Sequence, residues 1–279
     1  MNPDIDAKNQ YGGTETEYLE SLKQLQVTPE YRAQMKYIRR FSTDALLLLR
    51  LCYFYSSRTQ SFAKNSLVVN STDDLAQSIS AGWLLAEDGL VNPVKRELRY
   101  VIESCIKYLY ADQQAVGKPI EDRVAFLHNI DSSIDVRSNL RLGALHVNDA
   151  KQFVDELYDT YRECCAYVHV SPSQVKERLK QAEDDLALKY EKPQDLRKLA
   201  KLMFRVYDMA LTIYFHGYDL SMIGDVFIGV LDEKPEWSFH KGKYVSITSA
   251  YYDYKHERNI RKYGESRPWN PEGWPPKKL

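Results

Sequence analysis

Past the middle of the chain, the segment YRECCAYVHVSPS places Arg162 and His169 seven residues apart. Seven residues on a regular helix are close to two turns, so both side chains project from nearly the same face, separated by roughly 10 Å along the axis. Cys165 and Ala166, which lie between them, are small and leave a shallow groove. Such a pair suits phosphodiester cleavage: a guanidinium grips a phosphate as a fork, and an imidazole moves protons near neutral pH. At a helix C-terminus, His169 would meet the negative end of the macrodipole, which favours its protonated form. Glu163 follows the arginine directly. The sequence has no glycine-rich phosphate loop, HExxH, GxSxG or EF-hand pattern, and no metal-ligand cluster near the pair. Neither a metal nor any other cofactor is expected.

The elements that must hold these groups read as helices. Asp44 to Arg58 is an apolar helix, and Thr59 to Asn70 reads as a polar connector. Ser71 with Asp74 three residues on forms an N-cap for a helix to Asp88, and Asn92 before Pro93 caps another that runs to about Asp112. That second helix has an apolar stripe of Leu98, Ile102, Cys105 and Leu109, opposite a charged stripe of Arg96, Arg99, Glu103 and Lys107. Pro119 to Asn129 is a short helix, while Asp131 to Val147 fits helix or extended chain equally well. Asp149 with Gln152 opens the helix that carries the pair; it buries Phe153, Leu157, Tyr161, Cys164 or Cys165, and Val168, and ends near His169. Ser171, Pro172 and Gln174 start a further helix to about Leu186. Pro193 to Phe215 is a strong helix stopped by Gly217, and Leu220 to Leu231 returns along it as a hairpin. Lys243 to Tyr252 alternates weakly and suggests a short strand. From Lys255 on, seven lysines and arginines are interleaved with Tyr263, Trp269, Trp274 and several prolines. That tail reads as a strap laid on the bundle, with an RNA-binding arm as the alternative.

Charge and composition narrow the classes. With 38 basic and 39 acidic side chains in 279 residues, a globally basic nucleic-acid coat is excluded. Four cysteines without CxxC spacing argue against a disulfide framework or zinc ribbon and point to a reducing cytoplasm. The N-terminal stretch is polar and acidic, and the strongest apolar run, Ala45 to Tyr55, is interrupted by Arg50, so no signal peptide or membrane span is expected. The expected fold class is all-α. Its parts are an arm and first helix at 1–70, a helical bundle core at 71–186, a helical hairpin at 187–233 and an irregular basic and aromatic tail at 234–279.

The Arg162 segment resembles the HEPN superfamily, whose signature is an arginine, four to six residues of which the first is usually polar, and a histidine, at the end of a helix in a four-helix bundle. Arg162, Glu163 and His169 stand at those positions, and the likeness covers about residues 71–186. The resemblance implies a metal-independent endoribonuclease that cuts single-stranded RNA through attack of the 2′-hydroxyl. It further implies a homodimer with two motifs facing across the interface, and a toxin or antiphage defence effector with an antitoxin or defence-system partner. In that scheme His169 is the general acid or base, Arg162 stabilises the phosphorane and Glu163 orients one of them. The segment RELRYVIESCIKYLY is similar to the helix that sets an arginine and a glutamate beside the motif in related proteins, here Arg99 and Glu103; Lys107 extends these substrate-binding candidates. Arg123 to His128 and Arg141 to His146 share the family spacing. However, an apolar residue follows each arginine, and a five-residue step turns the two side chains about 140° apart. The reading from another class is a catalytically inactive helical module that binds a protein or RNA.

Overall fold

The computed structural model describes residues 26–130, 134–166, 193–218 and 220–251, with residues 20, 23, 24, 132, 172, 175, 176 and 179. The helix expected at Asp44 begins earlier: α1 spans Pro29–Ser56, with Pro29 in its first turn and Thr28 Oγ1 accepting the Tyr31 N–H at 3.3 Å. Tyr31, Met35, Ile38, Phe41, Ala45, Leu48 and Cys52 follow at spacings of three and four and are buried. Arginines and lysines between the first of these had masked the period.

The connector expected from Thr59 to Asn70 is instead two short helices, α2 (Gln60–Asn65) and α3 (Leu67–Asn70). Ser66 Oγ caps α3 by accepting the Val69 N–H at 3.2 Å. Ser71, the expected cap of α4 (Thr72–Glu87), has helical backbone angles and donates its hydroxyl back to the Val68 carbonyl at 2.9 Å. Because α3 runs almost directly into α4, little end is left to cap.

Gly89, with φ 84°, makes the turn into α5 (Val91–Gln114), which starts one residue before Asn92 and lacks a side-chain cap. The expected apolar stripe of α5 is buried throughout. α6 (Ile120–His128) follows Pro119, and the described residues of the ambiguous stretch before α7 are irregular apart from a 3₁₀ turn at Arg137–Asn139. α7 (Val147–Cys165) starts after His146, so Asp149 lies in its first turn and is not its cap. α8 spans Pro193–Phe215, as the periodicity predicts. The return leg is α9 (Leu220–Val226) with one π turn at Phe227–Leu231. Gly217 is not left-handed; an added Cβ there would sit 2.7 Å from the Val68 side chain, so close approach is what calls for glycine.

α8 is the central post, packing against α1, α5, α7 and α10 (Lys243–Tyr251), while α4 pairs with α5 and with α1. One continuous core runs from Tyr31 to Val245 and is rich in aromatics: Phe204 stacks on Phe239 at 5.1 Å, and Phe41 meets Tyr207 edge-on at 5.8 Å. The described residues contain no strand, so the class is all-α.

The short strand expected from Lys243 to Tyr252 is α10. What the local alternation could not show is Asp208 on α8, whose two oxygens accept the N–H groups of Tyr244 and Val245 at 2.9 and 3.0 Å and cap a helix from across the core. This device recurs. Asp112 near the end of α5 accepts from Leu67 and Val68 N–H at 3.0 and 3.1 Å and from Ser66 Oγ at 2.7 Å. Asp44 on α1 accepts the Ser238 N–H at 2.8 Å, where a 3₁₀ turn (Ser238–Lys241) begins.

Candidate functional site

α7 buries Phe153, Leu157, Thr160 and Cys164 against α5 and α8, which leaves Arg162 and Glu163 on the outer edge of its last turn. The Arg162 guanidinium carbon lies 5.6 Å from the ring centre of Tyr158, one turn back. Arg137, from the irregular stretch, brings its own guanidinium to 4.4 Å from the same ring. Two cations therefore flank one half-buried tyrosine. Glu163 forms an ion pair with Arg205 of α8, both side chains being about half exposed. The acid next to Arg162 is thus neutralised from a neighbouring helix, and no carboxylate among the described residues pairs with Arg162 itself.

On the other side of α7, Glu103 of α5 accepts from Arg99 Nε at 2.8 Å and from the Tyr161 hydroxyl at 2.6 Å, and the Arg99 guanidinium lies 5.5 Å from the Tyr161 ring. Burial, with Glu103 as acceptor, holds the Tyr161 hydroxyl well above its usual pKa, so it stays a neutral donor. Arg99 and Glu103 thus come against the motif helix, satisfying each other as an i, i+4 pair and Tyr161 besides. Lys107 lies one turn further on, half-buried at an open cleft of about 320 Å³ that it shares with Glu103, Tyr108 and His128.

The alternative arginines are braces. Arg123 forms a nearly buried ion pair with Asp112 at 2.7 Å, and Arg141 binds the Gln113 carbonyl while its N–H reaches Gln113 Oε1 at 2.8 Å. His128 opens to the cleft, and His146 stands at the start of α7.

His169 and Val168 lie outside the described residues, as do most of the expected helix from Ser171 to Leu186 and the tail from Lys255. The end expected near His169 comes earlier: α7 stops at Cys165 and is capped at Ala166, so the unbroken helix that would set Arg162 and His169 two turns apart on one face ends four residues before the histidine. Among the described residues no three His, Cys, Asp or Glu side chains form a metal-binding group, and no helix is long and apolar enough to cross a membrane. The four cysteines are free, and burial pushes the Cys105 and Cys164 thiols up to about 12.

Tyr161, expected in the buried stripe of α7, is half-buried with its hydroxyl on Glu103, and Tyr158, Arg137 and Arg205 are not singled out in the sequence. For Tyr158 the i, i+4 step to Arg162 was a usable signal. Arg137 and Arg205 arrive from elements distant in the chain, and nothing local marks them. No family model, curated protein or solved structure matches the chain.

Proposed function

We propose that the end of α7 is the catalytic edge of a metal-independent endoribonuclease of HEPN type, acting as a homodimer in a reducing cytoplasm as a toxin or antiphage effector. The observation that carries this reading is the electrostatics around Arg162. Its guanidinium is exposed, shares Tyr158 with Arg137, and stands beside an acid already paired with Arg205. A phosphodiester arriving there would meet two cations on one tyrosine and, in Glu163, a carboxylate already paired.

In the proposed reaction the 2′-hydroxyl loses its proton to a base, attacks phosphorus and expels the 5′-oxygen, which takes up a proton. The products are a 2′,3′-cyclic phosphate and a 5′-hydroxyl. His169 moves these protons, Arg162 holds the phosphorane, and Glu163 keeps Arg205 in register beside it. Free thiols accord with a reducing compartment.

A second reading is favoured by the closed set of Arg99, Glu103 and Tyr161, whose hydrogen bonds are made to one another. On that reading the same edge is a catalytically silent docking surface. Incubating the protein with total RNA in EDTA and analysing the new ends separates the two. Cleavage with cyclic phosphate ends is expected, falling about 10²- to 10⁴-fold in His169→Ala and about 10²- to 10³-fold in Arg162→Ala. Cleavage that strictly needs magnesium, or none at all, overturns the proposal, and so does full activity in both variants.

A further inference from the structure

On a different part of the molecule, α1 and the C-terminal end of α4 border an open cleft of about 540 Å³. Its rim carries Arg32, Lys36, Arg39 and Arg40, at i, i+4, i+7 and i+8 on α1, all exposed. Only two carboxylates share the lining, and both are engaged: Glu87 pairs with Arg39 at 2.7 Å, and Asp44 accepts the Ser238 N–H and hydroxyl at 2.8 and 2.5 Å. No carboxylate among the described residues pairs with Arg32, Lys36 or Arg40. Arg40 instead donates to the Glu236 carbonyl, and Arg32 Nε to the Gln26 carbonyl at 3.4 Å. Backbone carbonyls aim these guanidiniums without cancelling their charge. Arg39 lies 5.3 Å from the ring centre of Trp83, so its plane is steadied on a second side. The floor is apolar, from Tyr31 and Met35.

Like charges gathered along one concave face repel one another, and an anion that enters relieves the repulsion. The three cations without a carboxylate partner among the described residues, Arg32, Lys36 and Arg40, are strung over about 12 Å of helix rather than converging on a point, which suits several linked phosphates better than one. We infer that this cleft binds a small ligand bearing two or more linked phosphates, its phosphates along the α1 cations. The inference stands apart from the ribonuclease reading: α1 packs on α4 and α8, whereas α7 packs on α5 and α8.

Calorimetric titration of the full chain with ATP, pyrophosphate, adenosine and a ten-nucleotide single strand tests it. ATP and pyrophosphate should bind with one site and compete with each other, and adenosine should bind at least about tenfold more weakly than ATP. Combining Arg32→Glu with Lys36→Glu should weaken ATP binding by at least about tenfold, Lys36→Ala should weaken it less, and Lys118→Glu, outside the cleft, should leave it unchanged. Circular dichroism of each variant checks that it is folded; should the double reversal fail to fold, Lys36→Ala decides. No ATP or pyrophosphate binding at millimolar concentration overturns the inference. It is equally overturned by an equal loss in Lys118→Glu, by adenosine binding as well as ATP, or by a single strand that binds the cleft while ATP does not displace it.

Discussion

Buried Asp208 on α8 and half-buried His216, one residue past its end, should drive stability in opposite directions between about pH 4 and 6.5, and substitution of either exposes the other. His216 Nδ1–H donates to the Thr212 carbonyl at 2.7 Å while Nε2 accepts the Ala144 N–H at 3.1 Å, an arrangement only the neutral ring can make. Burial lowers its pKa from 6.5 to about 4. The unfolded chain therefore takes up the proton first, so this contribution is complete above pH 6.5 and is lost as the pH falls toward 4. At about 1.4 kcal/mol per pH unit, it amounts to about 3 kcal/mol.

Asp208 behaves in reverse. Burial raises its pKa from 3.8 to about 6, against the N–H groups of Tyr244 and Val245 that favour the carboxylate. Here the folded protein takes up the proton first, so a contribution also of about 3 kcal/mol is present below about pH 4 and is lost as the pH rises through 6. In the native protein the two nearly cancel. Thermal melts of native protein, His216→Gln and Asp208→Asn across this range, at constant ionic strength, measure the balance, since the common titration of exposed carboxylates drops out of the differences. Relative to the native profile, Asp208→Asn should lose about 6–12 °C on going from pH 6.5 to 4, and His216→Gln should gain a similar amount. Parallel profiles in all three proteins, or shifts of the same sign, would refute the opposition.

Removing Asp112 leaves the N–H groups of α3 and the Arg123 guanidinium without their acceptor, so Asp112→Ala should cost about 3–5 kcal/mol in urea unfolding; a loss below about 1 kcal/mol contradicts the capping role. Gly217→Ala forces a Cβ to 2.7 Å from Val68 and should cost about 1–3 kcal/mol in the same assay, whereas Gly143→Ala, with nothing within 4 Å, should cost less. Glu163→Gln releases Arg205 at an exposed pair. Melting should change by less than about 1 kcal/mol, while the salt dependence of single-strand RNA binding steepens by about 0.7; an unchanged salt slope would separate Arg205 from the RNA edge.

Helices with a dense apolar period were legible from the residues alone. α8, read at Pro193 to Phe215, matches end to end, and α5 buries Leu98, Ile102, Cys105 and Leu109 as its stripe requires. Misreadings cluster where a distant side chain settles a local choice. Ser66 to Asn70 and Lys243 to Tyr251 carry weak patterns of their own and become helical on carboxylates from α5 and α8. At the candidate site the sequence brought Arg162 forward by type and spacing. It could not show that Glu163 is neutralised, because Arg205 stands 42 positions away on another helix.

The three aspartates that cap from afar also imply an order of assembly. A four-residue helix, a 3₁₀ turn and a nine-residue helix are too short to nucleate alone in water. Each must wait until α1, α5 or α8 has formed and presents its carboxylate, across separations of 194, 45 and 36 residues. The short elements should then be late to appear yet hard to open. Amide protons of Leu67, Val68, Tyr244 and Val245 should exchange at rates near those of the long helices, because releasing them means pulling a long helix out of the core. A substitution on a long helix would accordingly first be felt as fraying far along the chain.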